Sequence, residues 1–214
     1  MHKYFVKTPW WIKKIFSSYV WSIPTSSKVV YLTFDDGPHP IITSWVLDEL
    51  KKYNAKATFF CIGNNVAQHG AIYERLIREG HAIGNHTHHH LNGWKTSTPD
   101  YLADVTIASK MMATNLFRPP YGRIRSTQAK GLNKAMHVTR SKVIMWDVLS
   151  ADFDTTISPQ QCTKNVLENV RPGSIIVFHD SQKAFPNLEY ALPIVLTTLQ
   201  HEGYRFEEML MESV

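Results

Sequence analysis

The chain has 214 residues, a length that suits one domain with a sizeable core. Its apolar fraction of 43% is that of an ordinary globular protein, no apolar run is long enough to span a membrane, and two cysteines exclude a disulfide framework. The net charge of +5 is matched by five lysines (Lys3, Lys7, Lys13, Lys14, Lys28) in residues 1–34, a stretch whose only acids would begin at Asp35, so the rest is formally neutral and a general nucleic-acid-binding surface is not expected.

Residues 1–27 interleave lysine with aromatics: Tyr4, Phe5, Trp10, Trp11, Phe16, Tyr19 and Trp21. Lys13 and Lys14 interrupt any continuous apolar core of the secretory kind, so no cleavable signal peptide is evident. The expected location is cytoplasmic or peripheral to the membrane. Pro9 suits a helix start and predicts a short amphipathic helix over about 9–20. The segment precedes the first strand, so it is expected to pack as a lid on the N-terminal end of the body, away from the chemistry. The other reading is a helix lying in an anionic membrane surface.

Residues 28–214 alternate strand-like and helix-like runs without a linker, a sequence repeat or a second domain. A β-branched run predicts a buried strand over about 29–34 that ends in Asp35-Asp36-Gly37-Pro38. A helix follows at about 41–53, a strand at about 57–62 and helical material at about 64–79. The strand at about 81–85 leads into the histidine-rich loop, and a helix at about 99–113 precedes a short strand, Leu116-Phe117. Helical material at about 125–137, a strand at about 142–146 and a helix at about 159–170 come next. The strand at about 174–178, a helix at about 188–202 and a last strand at about 204–206 complete the chain. Seven strands joined by helix-length crossovers imply a parallel sheet closed, or nearly closed, into a barrel.

Barrel enzymes carry reacting groups at the C-terminal ends of their strands. The polar residues fall there: Asp35 and Asp36, His86 and His90, Arg118, Asp147 and Asp152, His179 and Asp180. Two adjacent carboxylates repel. They are tolerable when a metal ion takes up the charge of one and leaves the other as a base. Histidines four apart, as in Asn85-His86-Thr87-His88-His89-His90, can face one metal. No Glu lies between them, which excludes the helical zinc-protease arrangement, so a carboxylate from elsewhere must complete the set, with Asp36 the natural candidate. Two imidazoles and one carboxylate leave a coordination position for water. Spacing alone does not prefer His86 and His90 over His88 and His89. Arg118 could hold Asp35 ionised and oriented or make a surface ion pair. His179 could donate a proton to a leaving group, with Asp152 orienting it, or be a satisfied core histidine.

The segments Thr33-Phe34-Asp35-Asp36-Gly37-Pro38, His86-Thr87-His88-His89-His90 and Arg118-Pro119-Pro120-Tyr121 resemble, in order, the first three motifs of the polysaccharide deacetylases, carbohydrate esterase family 4. The likeness covers about residues 28–210. The family's fourth motif, typically Asp-Ser-Xaa-Asp-Trp, reads Leu149-Ser150-Ala151-Asp152-Phe153 here, and the fifth, Leu-Xaa-His, reads Val177-Phe178-His179. These departures bear on substrate fit more than on chemistry.

The resemblance implies an α/β protein, a distorted (β/α)7 barrel in a single domain, that hydrolyses N-acetyl groups from amino-sugar polymers or oligomers such as chitin or peptidoglycan. It implies one divalent metal, usually zinc, on Asp36, His86 and His90. Asp35 would be the general base, oriented by Arg118, and the Tyr121 backbone N–H would help bind the oxyanion. His179 would be the general acid, supported by Asp152, while Phe153, Val177 and Trp146 would line the substrate pocket. A catalytically inactive glycan-binding or scaffolding barrel and a hydrolase of a non-sugar amide are the competing readings. The intact Asp35, Asp36, His86, His90, Arg118 and His179 weigh against the inactive one.

Overall fold

The computed structural model describes residues 4–209. In chain order the elements are α1 (Trp10–Ile15), β1 (Val29–Asp35), α2 (Ile42–Lys52), β2 (Ala57–Cys61), α3 (Gly63–Gln68), α4 (Gly70–Arg78), β3 (Ala82–Asn85), α5 (Thr98–Ser109), β4 (Leu116–Phe117), α6 (Ser126–Ala135), β5 (Lys142–Val143), β6 (Val148–Leu149), α7 (Pro159–Leu167), β7 (Ile175–His179), α8 (Phe185–His201) and β8 (Arg205–Phe206). The strands pair in parallel in the order β5-β4-β3-β2-β1-β7-β6, with β8 added beside the start of β1. This is the distorted (β/α)7 barrel, in one domain.

Burial explains the sequence of the central strands. β1 has no solvent face, so Val30, Leu32 and Phe34 can follow one another closely, and Phe34 stacks on Phe59 and Phe178 of its neighbours. On the outside, α8 turns Leu188, Leu192, Val195, Leu196 and Leu199 inward, each worth about 1.5–3 kcal/mol when buried. Ser97 and Ser158 cap α5 and α7 by accepting from the N–H groups of Asp100 (3.3 Å) and Gln161 (3.1 Å), with a proline in the first turn of each helix.

Register then sets the site. Asp35 pairs with His179 across β1 and β7, and Asn85 with Phe117 across β3 and β4. The residues just beyond those pairs, Asp36, Asp180, His86 and Arg118, therefore leave the barrel at one rim.

Three local expectations are refined or corrected. The helical material expected at about 64–79 forms two helices, α3 and α4, that part around His69, next to Gly70, a poor helix former. The strand expected at about 142–146 stops at Val143, because the carbonyls of Ile144 and Met145 accept from the Arg118 guanidinium (3.2 and 3.0 Å). Pairing resumes at β6, against β7, where no strand was expected.

The third correction concerns the N-terminal segment. Val20 and Ile23 pack at the base, but the aromatics of the segment do not close that end of the barrel. The segment runs as a strap along the open edges of β5 and β6, from the base to the catalytic rim. At the base Ile23 donates its N–H to Gly173 O (2.9 Å); midway Val20 bridges Ile144; higher up Lys7 bridges Val148. Tyr4 then reaches Phe153 and Asp154 at the rim. The strap covers sheet edges that would otherwise stay unpaired. The helix within it is shorter than expected, α1 at Trp10–Ile15, and Trp10, Trp11, Ile15 and Phe16 face outward. No helix among the described residues is long and apolar enough to cross a membrane.

Candidate active site

The rim holds a cavity of about 610 Å³ whose wall includes Asp35, Asp36, His86, His90, Tyr121 and His179. Phe153, Val177 and Trp146 line it as well, as does Tyr4 of the strap. Sequence reasoning brought all of these but Tyr4 to one place.

Asp36 sits where β1 turns out of the barrel, in the left-handed region (φ 81°). Its Oδ1 is 3.2 Å from His90 Nε2 and 3.7 Å from His86 Nε2, and one ligand atom from each of the three residues lies within 4.8 Å of the others. Burial works against Asp36 ionising, but the adjacent imidazoles of His90, His179 and His86 outweigh it and hold the carboxyl well below its ordinary range. The His86 Nδ1 faces the Arg118 carbonyl at 2.7 Å. A carbonyl only accepts, so Nδ1 carries the proton and Nε2 presents its lone pair toward Asp36. Burial pulls the His86 imidazole down to about 4, which keeps it neutral at pH 7.

These residues fit a divalent cation. Asp36 Oδ1 is buried without a hydrogen-bond partner, facing two imidazole nitrogens, and such an acceptor is costly unless something positive sits there. The geometry also resolves which histidines belong to the cluster. His88 and His89 donate their backbone N–H groups to Asp104 Oδ2 (2.7 and 3.0 Å), and His89 Nδ1 meets Asp104 Oδ1 at 2.6 Å. That carboxylate draws both away from Asp36. The His86 and His90 rings converge from an irregular loop rather than from a helical turn.

Two ion pairs flank the cluster. Arg118, fully buried, donates to Asp35 Oδ1 (2.7 Å) and to the Thr33 hydroxyl (2.7 Å), and its guanidinium lies 4.0 Å from the centre of the Phe60 ring. On the other side Asp152 grips His179 twice, accepting from its backbone N–H and pairing with Nδ1, both at 2.7 Å. This leaves Nε2 as the nitrogen available to the cavity. Burial alone would lower the His179 pKa, but Asp152, then Asp36 and Asp35, raise it to about 9.

Asp36, His90 and Tyr121 of the cavity wall have positive φ, as do Thr87 and Ala151, which adjoin His86 and Asp152 in sequence. Only Asn54 and His137 do so elsewhere among the described non-glycine residues, so backbone strain is concentrated at the rim.

Two polar residues differ from expectation. Asp147 is not at the cavity. It lies under the strap, pairing with Lys7 (2.6 Å), Lys13 and the Ser174 hydroxyl (2.5 Å). Asp180, noted at a strand end but given no role, is a support. Its Oδ1 accepts from the Gly37 N–H (3.0 Å), its other oxygen meets the Thr43 hydroxyl, and its own N–H donates to Asp35 O (3.1 Å). A Cβ on Gly37 would lie 2.1 Å from Asp180, so the loop needs glycine there. Burial pushes the Asp180 carboxyl up to about 7. The signal available in the sequence was an acid directly after His179.

A parallel barrel that gathers these acids and imidazoles at one rim defines a barrel hydrolase. A family model described as polysaccharide deacetylase matches residues 22–139, and the chain belongs to that family. It is 34% identical over 203 residues to a peptidoglycan-N-acetylglucosamine deacetylase of Bacillus cereus, covering 92% of this chain and 71% of that one. It is 32% identical over 165 residues to a chitooligosaccharide deacetylase of Azorhizobium caulinodans, covering 74% and 76%. Among solved structures it matches the Bc1960 peptidoglycan N-acetylglucosamine deacetylase in complex with 4-naphthalen-1-yl-N-oxidanyl-benzamide, with a TM-score of 0.82 and 34% identity over 94% of this chain and 95% of that one.

Proposed function

We propose that this polysaccharide deacetylase is a metal-dependent N-deacetylase of amino-sugar polymers, with peptidoglycan N-acetylglucosamine as the first substrate and chitin oligomers as the second. The observation that carries the reading is the Asp36–His86–His90 cluster, with its partnerless buried oxygen, set between Asp35–Arg118 and His179–Asp152 on one cavity wall. The similarity to a peptidoglycan deacetylase over more of the chain than to a chitooligosaccharide deacetylase supports that order of substrates.

Asp36, His86 and His90 would hold the ion, with zinc the best match to two imidazoles and a carboxylate. When bound, a divalent ion supplies Lewis-acid polarisation of the acetamide carbonyl and a more acidic water. The chain's own groups do the rest. Asp35, oriented through Oδ1 by Arg118, takes the proton from the attacking water. The Tyr121 backbone N–H donates to the developing oxyanion, a contact of about 3–4 kcal/mol in comparable sites. An amine leaves only when protonated, and His179 carries that proton, held on ring and backbone by Asp152. Phe153, Val177 and Trp146 supply apolar wall against the acetyl group.

Acetate release from purified peptidoglycan and from N-acetylglucosamine oligomers, assayed with added zinc and again with a chelator, tests the reading. Release with zinc that the chelator abolishes is the expected result. No acetate from any of these glycans after metal loading would overturn it.

A further inference from the structure

We propose that the outward face of α1, together with the neighbouring face of α6, docks the protein on an anionic lipid bilayer, lying in the interface without crossing it. The inference stands apart from the deacetylase reading.

No residue of α1 is buried. Trp10, at 73% exposure, and Trp11, Ile15 and Phe16 all face outward within residues 10–16. Elsewhere among the described residues the exposed large apolar side chains come at most two to an element, as with Tyr190 and Ile194 on α8. Single exposed apolar residues are ordinary, but a contiguous patch marks a surface with a partner. Tryptophan suits the membrane–water interface, where its ring meets apolar matter and its N–H meets water.

Charge selects the partner. Residues 1–34 and 105–146 contain no Asp or Glu. These two stretches come together here: Ile12, Tyr19 and Trp21 of the strap belong to the same apolar cluster as Leu132, Ala135 and Met136 at the end of α6. The first acid after them, Asp147, is buried and already paired with Lys7 and Lys13. Lys14, Lys130 and Lys134 are exposed and pair with no carboxylate among the described residues. Glu207 and Glu208 meet the strap at its base, beside Val20 and Ile23, rather than at α1. An aromatic patch rimmed by such cations fits anionic headgroups lying over acyl chains. A free phosphate would engage the lysines and leave the tryptophans in water. A second copy of this chain would bring one positive face against another.

The patch is also fixed before contact. The Leu149 N–H donates to Val6 O (2.8 Å) and the Met145 N–H to Val20 O (2.7 Å), so the strap does not have to be ordered on docking.

Sedimentation of the zinc-loaded full chain with vesicles of phosphatidylglycerol and phosphatidylcholine tests the surface, with pure phosphatidylcholine vesicles beside them. The protein should pellet with the anionic vesicles, stay in solution with the neutral ones and be released by high salt. Replacing both tryptophans, Trp10→Ala with Trp11→Ala, should abolish the binding. Lys14→Glu and Lys134→Glu should each weaken it by about fivefold or more. All these side chains face outward, so the variants should keep the wild-type melting temperature and the same acetate release from soluble N-acetylglucosamine oligomers. The vesicle assay needs no turnover, so docking and deacetylation fail separately. If the tryptophan variant does not fold, the two lysine variants decide. No binding to anionic vesicles, binding that high salt leaves intact, or unchanged binding in the folded variants would overturn the proposal. So would a dimer in solution that the tryptophan variant dissociates, since a second copy would then be the occupant.

Discussion

The catalytic rim and the strap meet at one cavity but are built by opposite means. The rim is assembled from residues that directly follow the strands that position them, such as Asp36 after β1 and His86 after β3. The strap owes its place to partners far along the chain: Lys7 with Val148, Val20 with Ile144, Ser22 with Ser174. One region is fixed by the local sequence of each strand end and the other by long-range pairing. Changes at the rim should therefore act first on chemistry, whereas changes in the strap should act first on stability.

The largest effect sharpens that contrast within two neighbouring residues. Asp36→Asn should lose the bound metal and lower turnover on the order of 10⁴-fold or more, the scale of several kcal/mol of Lewis-acid stabilisation. Asp35→Asn should keep the metal and still lose turnover. Metal content and acetate release on the two variants check this, and metal lost only from Asp35→Asn would reverse the assignment. Next comes His179→Ala, with kcat down roughly 10²–10⁴-fold and the metal retained, and with a lower melting temperature because the buried Asp152 carboxylate loses its ring partner. Loss of the metal as well would break the separation of the proton donor from the cluster.

The third effect lies in the strap. Deleting residues 1–24 should leave the metal bound but lower the melting temperature, by about 2–4 °C for each kcal/mol lost in a domain of this size. An unchanged melting temperature would show that the strap is not part of the folded body. The smallest effect is on pH dependence. Burial opposes the ionisation of Asp147, but Lys13, Lys7 and Ser174 outweigh it and hold its pKa below the ordinary value. A depressed carboxyl pKa adds stability that is present above the unfolded value, about 3.9, and is lost as the pH falls through the folded one. Melting temperatures between pH 6 and pH 3 should fall more steeply for the wild type than for Asp147→Asn, and parallel curves would remove the ion pairs from the account.

The same contrast explains what could be read in advance. Asp35, Asp36, His86, His90 and Arg118 stood out because each sits in a short motif at the end of an apolar strand, and local spacing carries that information. Asp147 has the same position after a strand, yet it points to the strap, because Lys7 and Lys13 arrive from the other end of the chain. The early stop of β5 was hidden for a related reason: the groups that take the carbonyls of Ile144 and Met145 belong to Arg118, and nothing in the run Val143-Ile144-Met145-Trp146 marks that competition. Asp180 was visible as a residue but not as a support, since its partners, Gly37 and Thr43, lie far back in sequence.

The strap also orders events in time. Residues 6–8 are synthesised well before their partners in β6, which are made only after more than half of the 214 residues have followed. At about 5–20 residues per second that wait is on the order of 10 s, during which Thr8 and Trp21, both buried in the finished fold, have no barrel edge to dock on. The barrel edge they will cover must form before they can settle, so closing the strap is a late step with a high contact order. Refolding followed through Trp21, whose indole N–H ends on Phe16 O, should therefore report a slower phase than the formation of the β1–β2–β3 sheet. Residues made well before the barrel edge they cover are, in this fold, among the last to find their place.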